Sequence, residues 1–114
     1  MTRPYKQLSQ LIRQVKDEMH VVGIYSETPP SAEALASTMP FCYDTMEFSG
    51  WLQWIFIPRI EQILDQGLQL PGKCEIAPLA EVWFQERDLE QQARHLLALL
   101  EEIDRLITSV DSPV

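Results

Sequence analysis

Apolar side chains recur at steps of three and four residues along most of this chain, and this spacing constrains the fold more than any other feature. It places them on one face of an α-helix, which has about 3.6 residues per turn. Gly23 then stands where a helix commonly ends. We therefore predict a first helix up to Val22, with this apolar face: Tyr5, Leu8, Leu11, Ile12, Val15, Met19 and Val22.

A second helix is predicted from Asp44 or Thr45, either of which is suited to the N-cap, with Glu47 near the positive end of the helix dipole. Pro58 lies inside this helix and is expected to kink it, because proline has no N–H to donate to the carbonyl of Trp54. Gly67 ends it. The predicted stripe is Phe48, Trp51, Leu52, Ile55, Ile63 and Leu64, and outside it lie Trp54, Phe56 and Ile57.

Two more helices are predicted in the last third of the chain. Pro78 suits the first turn of the third helix. Asp88 and Gln91 have the spacing of a capping box, which predicts that the fourth helix begins there. The apolar face of that helix is Leu89, Ala93, Leu96, Leu97, Leu100, Ile103 and Ile107, widened by Leu99 and Leu106.

A long connection separates the first two helices, since the prolines between residues 26 and 44 exclude a continuous helix there. Ser31 is expected to cap one short helical turn within it. The 114 residues suit a single domain spanning 1–114. The prediction is an all-α fold, a four-helix bundle with a long loop between helices 1 and 2.

Charge and composition exclude several classes of function. The formal net charge of −8 argues against a broad nucleic-acid or anionic-membrane surface, although residues 1–24 carry a net +2. No apolar run is long enough to span a membrane and no secretory leader is seen, so a cytoplasmic protein is expected. Cys42 and Cys74, and likewise His20 and His95, lack the spacing of metal ligands. No metal, cofactor or catalytic site is predicted.

One continuous motif resembles a known family. The string Asp44-Thr45-Met46-Glu47-Phe48, followed by Trp51-Leu52-Gln53-Trp54 and Ile57-Pro58-Arg59, is similar to the YqcC-like family of small bacterial proteins, as are Leu70-Pro71-Gly72 and Ile76-Ala77-Pro78. The resemblance implies an all-α four-helix bundle and no established activity. It also implies an association with tRNA pseudouridine synthases.

Aromatic residues concentrate between Phe41 and Phe56, and a bundle this small cannot bury all of them. The sequence therefore predicts a non-enzymatic interaction module that binds a protein partner or itself. The alternative is an accessory protein in tRNA modification that works beside a synthase and does not supply the chemistry. A third hypothesis, a small enzyme using Asp44 or Cys42, is weaker, because a helix cap and a packed thiol explain these residues. The predicted interaction surface comprises Phe41, Asp44, Glu47, Trp51, Trp54 and Arg59.

Overall fold

The computed structural model describes residues 3–38, 46–70 and 74–110, and within these ranges it contains helices and no strand. The all-helical prediction is therefore confirmed for the described residues. No helix among them is long and apolar enough to cross a bilayer. The elements in chain order are α1 (Arg3–Val22), α2 (Ala32–Leu35), α3 (Phe48–Trp51), a π-helical turn (Leu52–Phe56), α4 (Ile57–Gln66), α5 (Ala77–Glu86) and α6 (Arg94–Val110).

The first and last helices form the centre of the fold. α1 packs against α6 and α4, while α5 packs against α6 and α3. Both apolar faces are buried as their periodicity predicts, because each helix is uninterrupted and keeps one face toward the core. The buried residues on these two helices are Leu8, Leu11, Ile12, Val15 and Met19 on α1, and Leu96, Leu99, Leu100, Ile103 and Ile107 on α6.

Gly23 and Gly67 end α1 and α4 in the left-handed region, with φ values of 86° and 66°. After each glycine the next N–H bonds back five residues: Ile24 to the Met19 carbonyl at 3.0 Å, and Leu68 to the Ile63 carbonyl at 2.9 Å. This is the Schellman arrangement, which glycine adopts without steric cost. Both predicted ends are confirmed.

The predicted stripe of the second helix is wrong in its second half. Phe56 and Ile57, assigned outside the stripe, are buried together with Ile60, whereas Ile55 is half-buried. The reason is the π turn, in which the Ile57 N–H bonds to the Leu52 carbonyl, five residues back. A π turn holds one residue more than an α turn, so every later side chain is displaced around the axis.

The irregularity expected at Pro58 therefore takes the form of this π turn. Pro58 lies in the first turn of α4, directly after it, where a missing N–H is tolerated. The predicted start of this helix is also corrected. α3 begins at Phe48 with Glu47 in the N-cap position, where its side chain makes no capping bond. Asp44 and Thr45 lie outside the described residues.

The short turn α2 and the start of α5 are confirmed. Ser31 caps α2 by accepting a hydrogen bond from the Ala34 N–H at 3.1 Å, and Pro78 stands in the first turn of α5. The capping box at Asp88 is wrong. Asp88 has a φ of 56° and ends α5, because the Leu89 N–H bonds back to the Phe84 carbonyl at 2.9 Å. α6 begins only at Arg94.

Gln53 ties the segment after α1 to the π turn. Its buried amide accepts from the Ser26 N–H at 2.8 Å and donates to the Ser26 carbonyl at 2.6 Å. The Gln53 side chain thus pairs with both backbone polar groups of Ser26. This contact positions the chain that follows Gly23.

Gln53→Ala should lower the free energy of unfolding by about 2 kcal/mol, because two hydrogen bonds are lost. The backbone N–H and carbonyl of Ser26 then lose their side-chain partner. Urea denaturation measures the change. The control is Gln62→Ala, which removes an exposed glutamine of α4 and should change stability by less than about 0.5 kcal/mol. Equal effects in the two variants would contradict the anchoring role of Gln53.

Candidate functional site

The residues predicted to form the interaction surface occupy different environments. Glu47 and Arg59 are exposed, Trp54 is half-buried, and Trp51 is buried at 8% exposure. Trp51 therefore belongs to the core and does not contribute to a surface. Phe41 and Asp44 lie outside the described residues, as does Cys42.

Glu47 pairs with Arg87, a residue that sequence reasoning missed. The Arg87 Nη2 donates to Glu47 Oε1 at 3.0 Å, and this contact joins the start of α3 to the end of α5. The guanidinium carbon lies 4.2 Å from the centroid of the Trp83 ring, so the cation stacks on the indole. The spacing of Trp83 and Arg87, four residues apart on one helix, was the available signal.

Most of the aromatic side chains near this ion pair are structural. The centroid of the Phe48 ring lies 6.1 Å from that of Trp51 and 6.3 Å from that of Trp83. The ring centroids of Trp51 and Phe56 are 5.4 Å apart. The Trp83 Nε1 is buried and has no hydrogen-bond acceptor in the described part of the chain. The aromatic concentration of the sequence is thus explained mainly by the core between α3 and α5.

Trp54 and Ile55 remain as the large apolar residues that this segment leaves half-buried. Both lie in the π turn, directly before buried Phe56. Single π turns inside α-helices are frequently found at functional sites. The π turn with Trp54 and Ile55 is therefore the first candidate surface.

Cys74 is placed in a setting that suppresses its reactivity. Burial and the neighbouring Asp104 carboxylate raise the pKa of the Cys74 thiol well above its usual range. The thiol therefore stays protonated at neutral pH, and the thiolate is the form that acts as a nucleophile. The backbone at Cys74 is fixed by Thr108, whose Oγ1 accepts from the Cys74 N–H at 3.2 Å.

Asp104 has a structural role. Its carboxylate accepts hydrogen bonds from the N–H groups of Ile76 at 3.0 Å and Ala77 at 2.8 Å. These N–H groups belong to the first turn of α5, so a side chain of α6 caps another helix. Long-range capping of this kind leaves no local sequence pattern.

The histidines and carboxylates do not converge. His20 is exposed and stacks on Tyr25 with ring centroids 3.9 Å apart, and His95 is exposed on α6. Across residues 3–38, 46–70 and 74–110, no group of three or more His, Cys, Asp and Glu side chains is placed to hold a metal ion.

A groove of about 330 Å³ lies between α5 and α6 and forms a second candidate surface. Asp104 lies in it beside two exposed carboxylates and one guanidinium. We call this region the acidic groove; its lining residues are Ala77, Pro78, Glu81, Glu101, Asp104 and Arg105.

The described residues thus define a small all-helical protein with a buried thiol and two candidate surfaces. Residues 7–106 match the model of the DUF446 family, whose description is "tRNA pseudouridine synthase C". The chain belongs to this family. The family resemblance noted from the sequence is thereby confirmed.

Two relatives of similar size are named as uncharacterized proteins. A Haemophilus influenzae protein is 39% identical over 97 residues, which are 85% of this chain and 92% of that protein. Uncharacterized protein YqcC of Escherichia coli is 43% identical over 77 residues, which are 68% of this chain and 69% of that protein. The solution NMR structure of E. coli YqcC superposes with a TM-score of 0.82 at 28% identity, covering 99% of this chain and 94% of that one.

One relative is much longer. A protein of Pectobacterium carotovorum named tRNA pseudouridine synthase C is 38% identical over 65 residues. These residues are 57% of this chain and only 17% of that protein. The matched segment is therefore a minor part of that relative.

Proposed function

We propose that this protein is a single-domain four-helix bundle that acts as a non-enzymatic interaction module and binds a protein partner or a second copy of itself. One observation carries the proposal. Similar sequence accounts for 92% of the Haemophilus relative but only 17% of the Pectobacterium protein. Sequence similar to most of this chain thus makes up nearly all of one relative, and sequence similar to 57% of this chain is joined to a much larger part in another, as is typical of a module that works together with a second component.

The described residues support binding more than chemistry. Cys74 is held as a thiol, His20 and His95 are exposed on different helices, and Asp104 is occupied in capping α5. Cys74 and Asp104 are neighbours, but burial and the carboxylate raise the pKa of the thiol and so disfavour the thiolate that would act as a nucleophile. By contrast, half-buried Trp54 and Ile55 in the π turn offer the large apolar side chains that protein interfaces use as anchors.

The alternative function is an accessory role in tRNA modification, in the cytoplasm, beside a tRNA pseudouridine synthase. The name of the Pectobacterium relative favours this choice of partner. The reaction itself would belong to the synthase, because the matched segment leaves most of that relative's length outside this fold. In this alternative the protein changes how the synthase binds its tRNA or how stable the synthase is.

Trp54→Ala should weaken binding at least about tenfold without unfolding the protein, since buried tryptophans at interface centres contribute about 2 kcal/mol or more. Binding is measured by calorimetry against the purified tRNA pseudouridine synthase C of the same organism, and self-association by light scattering. The matched control is Leu35→Ala, which truncates a large residue of α2 that is 44% exposed.

Thermal melts of both variants establish that the fold is intact. A synthase that fails to bind the wild-type protein would remove the accessory role, and a monomer by light scattering would remove self-association. If Trp54→Ala and Leu35→Ala bind equally well, the π turn is not the binding surface.

A further inference from the structure

The charge of this protein is concentrated on one part of the fold. Residues 74–110 contain eight carboxylates and three guanidinium groups, and every one of these carboxylates except that of Asp104 is on an exposed residue. Arg87, one of the three cations, is already paired with Glu47 and lies 3.7 Å from Glu86. The α5–α6 part of the surface is therefore strongly negative, while α1 is mildly positive.

The outer face of α5 combines this charge with apolar area. Val82 is 50% exposed, and Glu86 lies one turn further along α5, on the same side of the helix. Pro78, one turn before Val82 on this face, lines the acidic groove together with Glu81, and Glu101 of α6 lies on the opposite wall of that groove. An exposed apolar residue beside a carboxylate, next to an acidic groove, fits a protein surface that carries Lys or Arg around an apolar residue.

We infer that the acidic groove and the outer face of α5 dock against a positively charged protein surface, and that on the synthase this is the surface that contacts tRNA. The inference rests on the proposed accessory function. An enzyme that modifies tRNA must present positive charge to the phosphates, which are the dominant source of its affinity for nucleic acid. An acidic module is complementary to that same surface.

The consequence is competition. A module bound at the tRNA-contacting surface excludes tRNA, so this chain controls access of tRNA to the synthase rather than assisting the chemical step. The Glu81 and Glu101 carboxylates act from the two walls of the groove. Asp104 contributes negative charge, but its oxygens are already used by the N–H groups of Ile76 and Ala77.

The test compares two charge-reversal variants in binding to the purified synthase at low and at moderate salt. The Glu81→Lys/Glu101→Lys variant should raise Kd at least about tenfold at low salt, because attraction at two positions becomes repulsion. The matched control is Glu27→Lys/Glu33→Lys, which makes the same change at exposed residues that do not line the groove. We expect its Kd to change by less than about threefold, since exposed charges far from an interface are screened.

Unmodified tRNA transcript should displace the wild-type protein from the synthase, and binding should weaken as salt rises. Neutral Glu81→Gln/Glu101→Gln is expected to fall between wild type and the reversal, and thermal melts check each variant's fold. If the wild-type protein does not bind the synthase at low salt or at moderate salt, the accessory function itself is overturned. The docking inference would be overturned, and the accessory function left intact, by any of three results. These are a Kd that does not change with salt, an equal change of Kd in both charge-reversal variants, or no displacement by excess tRNA.

Discussion

Asp104→Ala should lower the free energy of unfolding by about 3 kcal/mol. The carboxylate accepts two backbone N–H groups at the start of α5, and each hydrogen bond to a charged acceptor contributes about 1.5–3 kcal/mol. α5 has no cap of its own, because Ile76 occupies the N-cap position and has no side-chain acceptor. Denaturation in urea measures the loss, and we expect α5 to exchange its amide hydrogens faster than α1.

Two variants separate capping from a general effect of charge. Asp104→Asn keeps one acceptor oxygen and should cost about half as much as the alanine variant. Glu101→Ala removes an exposed carboxylate from the preceding turn of α6 and should change stability by less than about 0.5 kcal/mol. A similar loss in Asp104→Ala and Glu101→Ala would contradict the capping role.

The same substitution reports on Cys74. The Asp104 carboxylate is one of the groups that raise the pKa of this thiol, after burial itself. Removing the charge should lower the pKa, so Asp104→Asn should react faster with a thiol reagent at mildly alkaline pH, under conditions where the protein stays folded. An unchanged reaction rate would show that burial alone protects the thiol.

Sequence periodicity predicted the parts of the fold in which one helix keeps one face toward the core. α1 and α6 satisfy that condition, and Gly23 and Gly67 end helices where predicted because only left-handed backbone fits there. Periodicity and local motifs did not predict contacts between residues that are distant in the sequence. Asp104 caps a helix that begins 27 residues earlier, and Arg87 pairs with Glu47 across 40 residues. Asp88 matched a capping box but adopts the left-handed conformation that ends α5.

The predicted apolar stripe of the second helix was wrong for another reason, and the signal for it is present in the sequence. Phe48, Trp51 and Leu52 keep helical spacing among themselves, and so do Phe56, Ile57 and Ile60, but the two sets are offset by one residue. A fixed period of 3.6 residues cannot join them, and the predicted stripe therefore took Ile55 in place of Phe56. The π turn absorbs the extra residue, and the candidate surface at Trp54 is a product of that same offset.

Removal of one residue should therefore restore a regular α-helix, provided that Pro58 is replaced as well. In a variant lacking Ile55, the buried residues before and after the turn fall on one continuous stripe. Pro58 would then lie in the interior of an α-helix, where proline costs about 3 kcal/mol. We expect the deletion alone to lose about that amount, and the deletion combined with Pro58→Ala to regain it. In the full-length chain Pro58→Ala should change stability by less than about 1 kcal/mol, since the π turn already accommodates the ring. The coupling between the two changes, about 3 kcal/mol, is measured by a double-mutant cycle in urea.

The control is the deletion of Ala98, an exposed residue of α6. α6 is a regular α-helix there, so the deletion turns all later side chains by about 100° around the helix axis. Leu99, Leu100, Ile103 and Ile107 would leave the core together, and the protein should not fold, because each buried side chain contributes about 2 kcal/mol or more. With Pro58→Ala, the deletion of Ile55 from the π turn is thus expected to be tolerated, whereas the deletion of Ala98 from α6 is not. If both deletions unfold the protein even with Pro58→Ala, the π turn is required by the core itself and is not an inserted residue.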